Sequence, residues 1–436
     1  MTGSDDLIPS EEINVFPQLC GCSGKPSTHD VVEPAVHKLI HQNNINIKES
    51  LDAGIVPAAS DPTHRAQIIA RGSQWKQAPP EVLVATFVDG KTANNTDDFR
   101  TFLNKEYDSI PHGSTIIKGH TVNIVESDVN FSIADYIIPN GTDREGYFGL
   151  NIDVIHALPQ QSGTTQASVA VSNTMNDCYT VGGYRERTIR PIVIHPSMAE
   201  VSKSDVEQVY KTVTGKQYDL LEPLVVKEDI KSWLFGVSAS TYLAHEPPRF
   251  YDHLSPGDQI LLHRPIGALA AYTAIVAGDS DQPPERVVDM LTTDHGSIAR
   301  VISKYCPQTA GEFDESKHIK FATDISGSGI RELEQPLARS SPKVDIELTN
   351  MPTIESELLN PAIEKWTIPD ITVETNGPLA LCGASEVIER IQNDLNQMAE
   401  ANPAIAGQVT DGSGLLRSKN VNMERYIETY IQPERP

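Results

Sequence analysis

Residues 164–183 read TTQASVAVSNTMNDCYTVGG, and this stretch limits the fold more than any other. Ala167, Val171, Met175 and Cys178 recur close to every 3.6 positions, the spacing of a helix, and Gly182-Gly183 supplies its stop. Asn173 and Asp177 are four apart, so such a helix projects both from one face. The flanks YFGLNIDVI (147–155) and IRPIVIHP (189–196) are rich in β-branched residues and read as strands. Strand-like stretches recur at TIIKGHTVNIV (115–125), SDVNFSIADYIIP ending at Pro139, SWLFGVSASTYLA (232–244), HIKFATDISGSG (318–329) and KVDIEL (343–348). Helices are expected at about 197–214, 353–366 and 384–399. The order of elements and their connections suit antiparallel as well as crossover pairing, which points to the α+β class.

A chain of 436 residues exceeds one small core and suggests two domains. LSPGDQILLHRPIG (254–267) is a turn, a strand and a second turn, so the boundary is placed just before it, near 245–253. The expected organisation is an N-terminal arm over 1–30, a first domain over 31–250 with a polar, turn-rich insertion at about 45–115, and a second domain over 251–436. No apolar run reaches the 18 residues of a membrane-spanning helix. The start, MTGSDDLIPSEE, is acidic and lacks the apolar stretch of a secretory signal. The five sparse cysteines then read as reduced thiols in a cytoplasm, with Cys178 and Cys382 as packed core thiols. His195, His245 and His263 are assigned no function.

The formal net charge of −24 argues against sequence-independent nucleic-acid binding, which depends on Lys and Arg neutralising phosphates. An anionic ligand must be held by metal ions or by a few placed cations. Carboxylates at element ends supply the first option. Asp153 stands in the strand GLNIDVI, Asp177 on the helix, Asp135 in SIADYII, and Asp324 where ATDISGSG turns. Converging carboxylates hold Mg²⁺ against nucleotide phosphates, because Mg²⁺ prefers hard oxygen ligands. Near the N-terminus CGCSGK places Cys20, Cys22 and Lys25 together, which spacing alone leaves open as a metal clip, a redox pair or a nucleophile with a charged helper.

The order of these pieces resembles selenophosphate synthetase (selenide, water dikinase), of the superfamily that includes aminoimidazole ribonucleotide synthetase. The matching features are Cys20-Gly21-Cys22 with Lys25, NTMNDCYTVGG, SPGDQILLHRPIG, TDISGSG, and ETNGPLALCGA as a degraded Q-T-S-G-G segment. Two features depart from the family pattern. Ser23-Gly24 separate Cys22 from Lys25, and LVVKEDIKSWLFG stands where the family has Gly-Gly-His-Thr. The resemblance implies two α+β domains of the aminoimidazole ribonucleotide synthetase type, with first-domain strands forming a β-barrel in a homodimer. It implies transfer of a phosphoryl group from ATP to selenide, with AMP and phosphate released and Mg²⁺ as cofactor. Asp135, Asp153, Asp177 and Asp324 would serve the metal, and Asn173, Asp153 and Thr323 the nucleotide. Cys20 would handle the chalcogen as a thiolate, favoured by the Lys25 ammonium facing the phosphates. Sulfide or another small acceptor, and a non-catalytic nucleotide-binding or chalcogen-carrier role, are the competing readings. Neither nucleic acid nor a membrane is an expected partner.

Overall fold

The computed structural model describes the backbone of seven strands between Val56 and Pro139, and residues 147–418 apart from 197, 229–232 and 366–369. Cys20, Cys22, Lys25 and Asp135 lie outside the described residues. The chain divides into two compact units. One holds the described residues up to Thr174 together with Glu186–Tyr242; the other holds Met175–Arg185 and the described residues from Leu243 on.

The first unit carries two sheets. In the first, β1 (Val56–Pro57), β2 (Ala66–Ala70), β3 (Glu81–Asp89), β4 (Thr115–Ile116), β5 (Thr121–Val122) and β6 (Val129–Ile133) run in the order β1-β2-β3-β6-β5, with β4 beside β3. The 45–115 stretch, expected as a turn-rich insertion, thus contributes three antiparallel strands, the longer two from its apolar patches AQIIA and EVLVATFVD. The second sheet combines β7 (Tyr136–Pro139), β8 (Tyr147–His156), β9 (Arg185–Pro196), β10 (Asp219–Leu220), β11 (Leu224–Glu228) and β12 (Leu234–Leu243), in the order β10-β9-β12-β8-β7. Both β10 and β11 pair with β9 in parallel. None of these sheets closes on itself among the described residues.

Helix α1 (Gly163–Thr180) follows β8, as its apolar spacing requires, and ends in Gly182 at φ 76°. A Cβ at Gly182 would stand 2.8 Å from the His245 ring, so glycine is needed twice over: for the left-handed turn and for the close approach. Helix α2 (Lys203–Thr214) begins six residues later than the expected 197, because Ser202 caps it by accepting from the Asp205 N–H at 3.1 Å. Val206, Val209 and Tyr210 form its buried stripe.

The second unit is built on one sheet. Its strands are β13 (Gln259–Leu262), β14 (Phe321–Asp324), β15 (Val344–Leu348), β16 (Leu379–Gly383), β17 (Ala404–Asp411) and β18 (Leu416–Ser418). The order is β14-β16-β13-β17-β15-β18, antiparallel except for the β15–β18 edge. The helices are α3 (Ala268–Val276), α4 (Glu285–Thr292), α5 (Gly296–Lys304), α6 (Glu334–Arg339), α7 (Ser356–Lys365) and α8 (Ser385–Leu395). Ile260, Leu261 and Leu262 on the central strand are all fully buried, which is why this strand reads as an unbroken apolar run. Ile260 and Leu262 join Phe321, Ile325, Leu333, Ile346, Leu348 and Val409 in one core. Full burial of each such large side chain contributes about 1.5–3 kcal/mol. No helix among the described residues is long and apolar enough to cross a membrane.

Candidate functional site

In the first unit, Asp153 and Asn173 come together. Strand β8 and helix α1 are joined by a short connection, and the Asn173 amide donates to the Asp153 carboxylate at 2.5 Å. Both side chains are buried. The neighbouring Asn151, one pleat away on β8, donates to the Thr174 carbonyl at 2.9 Å. Strand and helix are therefore tied at two consecutive helical positions. On the other side, Gly236 lets β12 pass close against β8, since a Cβ there would fall 1.9 Å from the Asp153 carbonyl oxygen. The sequence reading missed Gly236, although a lone glycine within an apolar strand is the signal of such an approach.

The second unit gathers the remaining motifs. Asp324 ends β14, and its strand partner is Leu379 at the start of β16. It is largely buried, and Thr323 beside it is half-buried. Beyond Asp324 the chain turns through ISGSG, where Gly329 adopts φ 59° against Thr372. The Ser326 carbonyl accepts the Glu374 N–H at 3.0 Å, and the Ile325 N–H donates to the Pro378 carbonyl at 2.8 Å. TDISGSG and ETNGP, some fifty residues apart, thus form one loop layer. Within it, Glu374 caps α3 by accepting from the backbone N–H groups of Gly267, Ala268 and Leu269. Burial pushes the Glu374 carboxyl up, while Arg264 and those three donors pull against that.

The last turns of α1 are fastened to the same layer. Asp177 stands there half-buried, between two anchors. Asn176 donates to the Gly377 carbonyl at 3.1 Å, and the Tyr179 hydroxyl donates to Asp294, which also accepts the Gly296 N–H at the start of α5. The sequence reading singled out Asn173 and Asp177 and passed over Asn176 and Tyr179, whose partners lie more than a hundred residues away.

The SPGD motif has a structural task. Asp258 accepts from the Ser255 N–H at 2.8 Å and from the fully buried Lys320 ammonium at 2.9 Å. Cys178 and Cys382 are buried, as packed core thiols should be, and burial holds the Cys382 thiol well above its ordinary range.

Among the described residues no three His, Cys, Asp or Glu side chains gather as metal ligands would. The acids present do not make a cage for a bare ion. Mg²⁺ takes one or two carboxylates and completes its shell with water and substrate phosphate, so it does not require such a cage.

No family model matches the chain. Among curated proteins it is 25% identical to the selenide, water dikinase of Clostridioides difficile (strain 630) over an alignment of 202 residues, with 44% of this chain covered. The chain thereby spans about half the length, 51%, of that relative. Solved structures with a similar fold include Escherichia coli HypE, at 14% identity and TM-score 0.50, covering 63% of this chain and 82% of that one. A second is AaThiL complexed with AMPPCP and TMP, at 16% identity and TM-score 0.50, covering 66% and 88%. A third is tt0281 from Thermus thermophilus, at 16% identity and TM-score 0.50, covering 66% and 89%. At these identities the structures speak to the fold alone, and the sequence match supplies the nearer kinship. The chain is thus similar in sequence, over part of its length, to a selenide, water dikinase, and its α+β fold is similar to those of HypE, AaThiL and tt0281.

Proposed function

We propose that the chain is an ATP- and Mg²⁺-dependent phosphotransferase resembling selenophosphate synthetase, converting ATP, selenide and water to selenophosphate, AMP and phosphate. The match to selenide, water dikinase over 202 residues carries the reading. The buried Asp153–Asn173 pair and the joined TDISGSG and ETNGP loops support it, as does a fold-mate solved with AMPPCP and TMP. Phosphoryl transfer requires positioning and charge neutralisation more than covalent work by the protein. Asp153 with Asp135, and Asp177 with Asp324, are the carboxylates offered to Mg²⁺, no more than one or two to an ion, and Asn173 and Thr323 meet the nucleotide. Mg²⁺ bound by these carboxylates would supply the positive charge that a triphosphate needs inside an acidic chain. Asn173 holds the Asp153 carboxylate in one orientation. Cys20 presents the chalcogen as a thiolate, and Lys25 faces the phosphates. The protein acts in the cytoplasm as a homodimer whose first-unit strands complete a barrel across two copies, which light scattering in solution tests directly.

Incubating the protein with ATP, Mg²⁺ and selenide, and following AMP and the phosphorus NMR spectrum, tests the chemistry. Selenide-dependent AMP and a selenophosphate resonance are expected, both lost in Cys20→Ser. Asp177→Asn should slow turnover on the order of 10²-fold. The Ser23-Gly24 spacer and the missing Gly-Gly-His-Thr favour a second reading, in which sulfide or another small acceptor replaces selenide. AMP release with sulfide and none with selenide would select it. Nucleotide binding without turnover would leave a carrier or binding protein.

A further inference from the structure

The turn between Glu374 and Leu379 is grasped by side chains at three backbone positions. The Arg264 guanidinium donates to the Asn376 carbonyl, Asn176 to the Gly377 carbonyl at 3.1 Å, and the Leu379 N–H to His263 Nδ1 at 2.8 Å. His295, just before α5, places its Nδ1 2.9 Å from Asn176 Oδ1. These contacts fix both histidine tautomers. Asn176 spends its amide N–H on Gly377, so its oxygen faces His295, which donates through Nδ1 and keeps a bare lone pair on Nε2. His263 accepts on Nδ1 and therefore carries its proton on Nε2. The two rings are 4.5 Å apart, edge to face, and fully buried. Neither Nε2 has a hydrogen-bond partner among the described residues.

We propose that His295 is a positioning residue for the nucleotide site: through Asn176 it sets the last turns of α1, which carry Asp177, against the turn at 374–379. What is positioned rests on the phosphotransferase reading; the fastening itself does not. His295 acts through Asn176 and touches no reacting group.

The test uses the full chain and two readouts. The first is the affinity for AMPPCP with and without Mg²⁺, by calorimetry. The second is amide exchange at Gly377 and Leu379, with the amides of β17 as the reference for global folding. His295→Leu should weaken AMPPCP binding in Mg²⁺ by about tenfold or more and leave metal-free binding unchanged. Asn176→Ala should do the same, and the double variant should be no worse than either. His295→Asn puts an amide N–H where Nδ1 stood and should restore binding, whereas His295→Gln puts it at Nε2 and should not. Gly377 and Leu379 should exchange faster in His295→Leu while β17 stays protected. Wild-type affinity in a folded His295→Leu, additive losses in the double variant, or equal behaviour of the Asn and Gln variants would each overturn the proposal. If the wild-type protein binds no AMPPCP, the phosphotransferase reading fails, and the exchange readout decides the fastening alone. Unchanged exchange at Leu379 sinks it.

Discussion

Two glycines and one carboxylate show how single residues set this molecule's geometry. Gly182 closes α1 in a left-handed turn against the His245 ring, where no side chain fits. Gly236 lets β12 pass against β8 at the candidate nucleotide residue Asp153; a Cβ there meets the Asp153 carbonyl at 1.9 Å and the Val154 Cα at 2.7 Å. Both are backbone atoms in a paired strand and cannot yield cheaply. Gly236→Ala is expected to cost at the upper end of about 1–3 kcal/mol, read as a lower urea midpoint at unchanged slope. Asp345 works by attraction. It accepts from the backbone N–H groups of Ser413, Gly414 and Leu415 and from Arg417, and so anchors the turn into β18. Burial pushes its carboxyl up, but Arg417 and the backbone donors outweigh that and hold it at about 2. Asp153, Asn173, Asp177 and Asp324 stand out in the sequence because their motifs are local. Gly236, Asn176 and His295 do not, because their contacts are with partners that no spacing rule reaches.

Among the elements, α1 was legible because its apolar residues and closing glycines agree, and the central strand of the second unit because burial on both faces leaves a plain apolar run. The strands within 45–115 were not legible, since short apolar patches between polar turns resemble loop. The turn at 374–379 looked like a worn motif, yet its polar groups are engaged with His263 and Arg264 just after β13, with α1 and with the start of α3. The joint between the SPGD turn and the start of β14 offers a sharper test. Lys320 is fully buried, 2.9 Å from Asp258 and 3.0 Å from Ser255 Oγ. Removing one member of such a pair strands the other in an apolar interior, whereas removing both does not. Lys320→Met should cost about 3–5 kcal/mol, and Asp258→Asn in that background should recover part of it. A double variant as unstable as the sum of the singles would show that the pair is not coupled.

At the scale of the whole molecule, acidity acts through a few buried groups more than through the surface. His156 in the first unit and His263 and His295 in the second are held neutral by burial, His156 down to about 3 and the other two well below their ordinary range. Arg264 adds repulsion on the second-unit pair, and His263 repels His295 as well. A histidine depressed in the folded state leaves stability untouched above pH 6.5, where neither state is charged. Below that value the unfolded chain takes up protons that the folded chain refuses, so stability falls until the folded pKa is reached. Each histidine contributes up to about 1.4 kcal/mol per pH unit. Glu374 and Asp370 act in the opposite sense, because burial raises both carboxyls and the folded state then binds protons earlier than the unfolded one. Their offset grows as pH approaches the ordinary carboxylate range. The surface charge behind the net −24 also titrates mostly below about pH 5. Between pH 6.5 and 5 the histidines therefore dominate. Urea unfolding across that interval should show stability falling with acid, more steeply for the second unit, which holds two of the three. Glu374→Gln should steepen the decline by removing one offset. Stability that is flat or rising from pH 6.5 to 5 would mean that these rings are solvated or already charged in the folded protein.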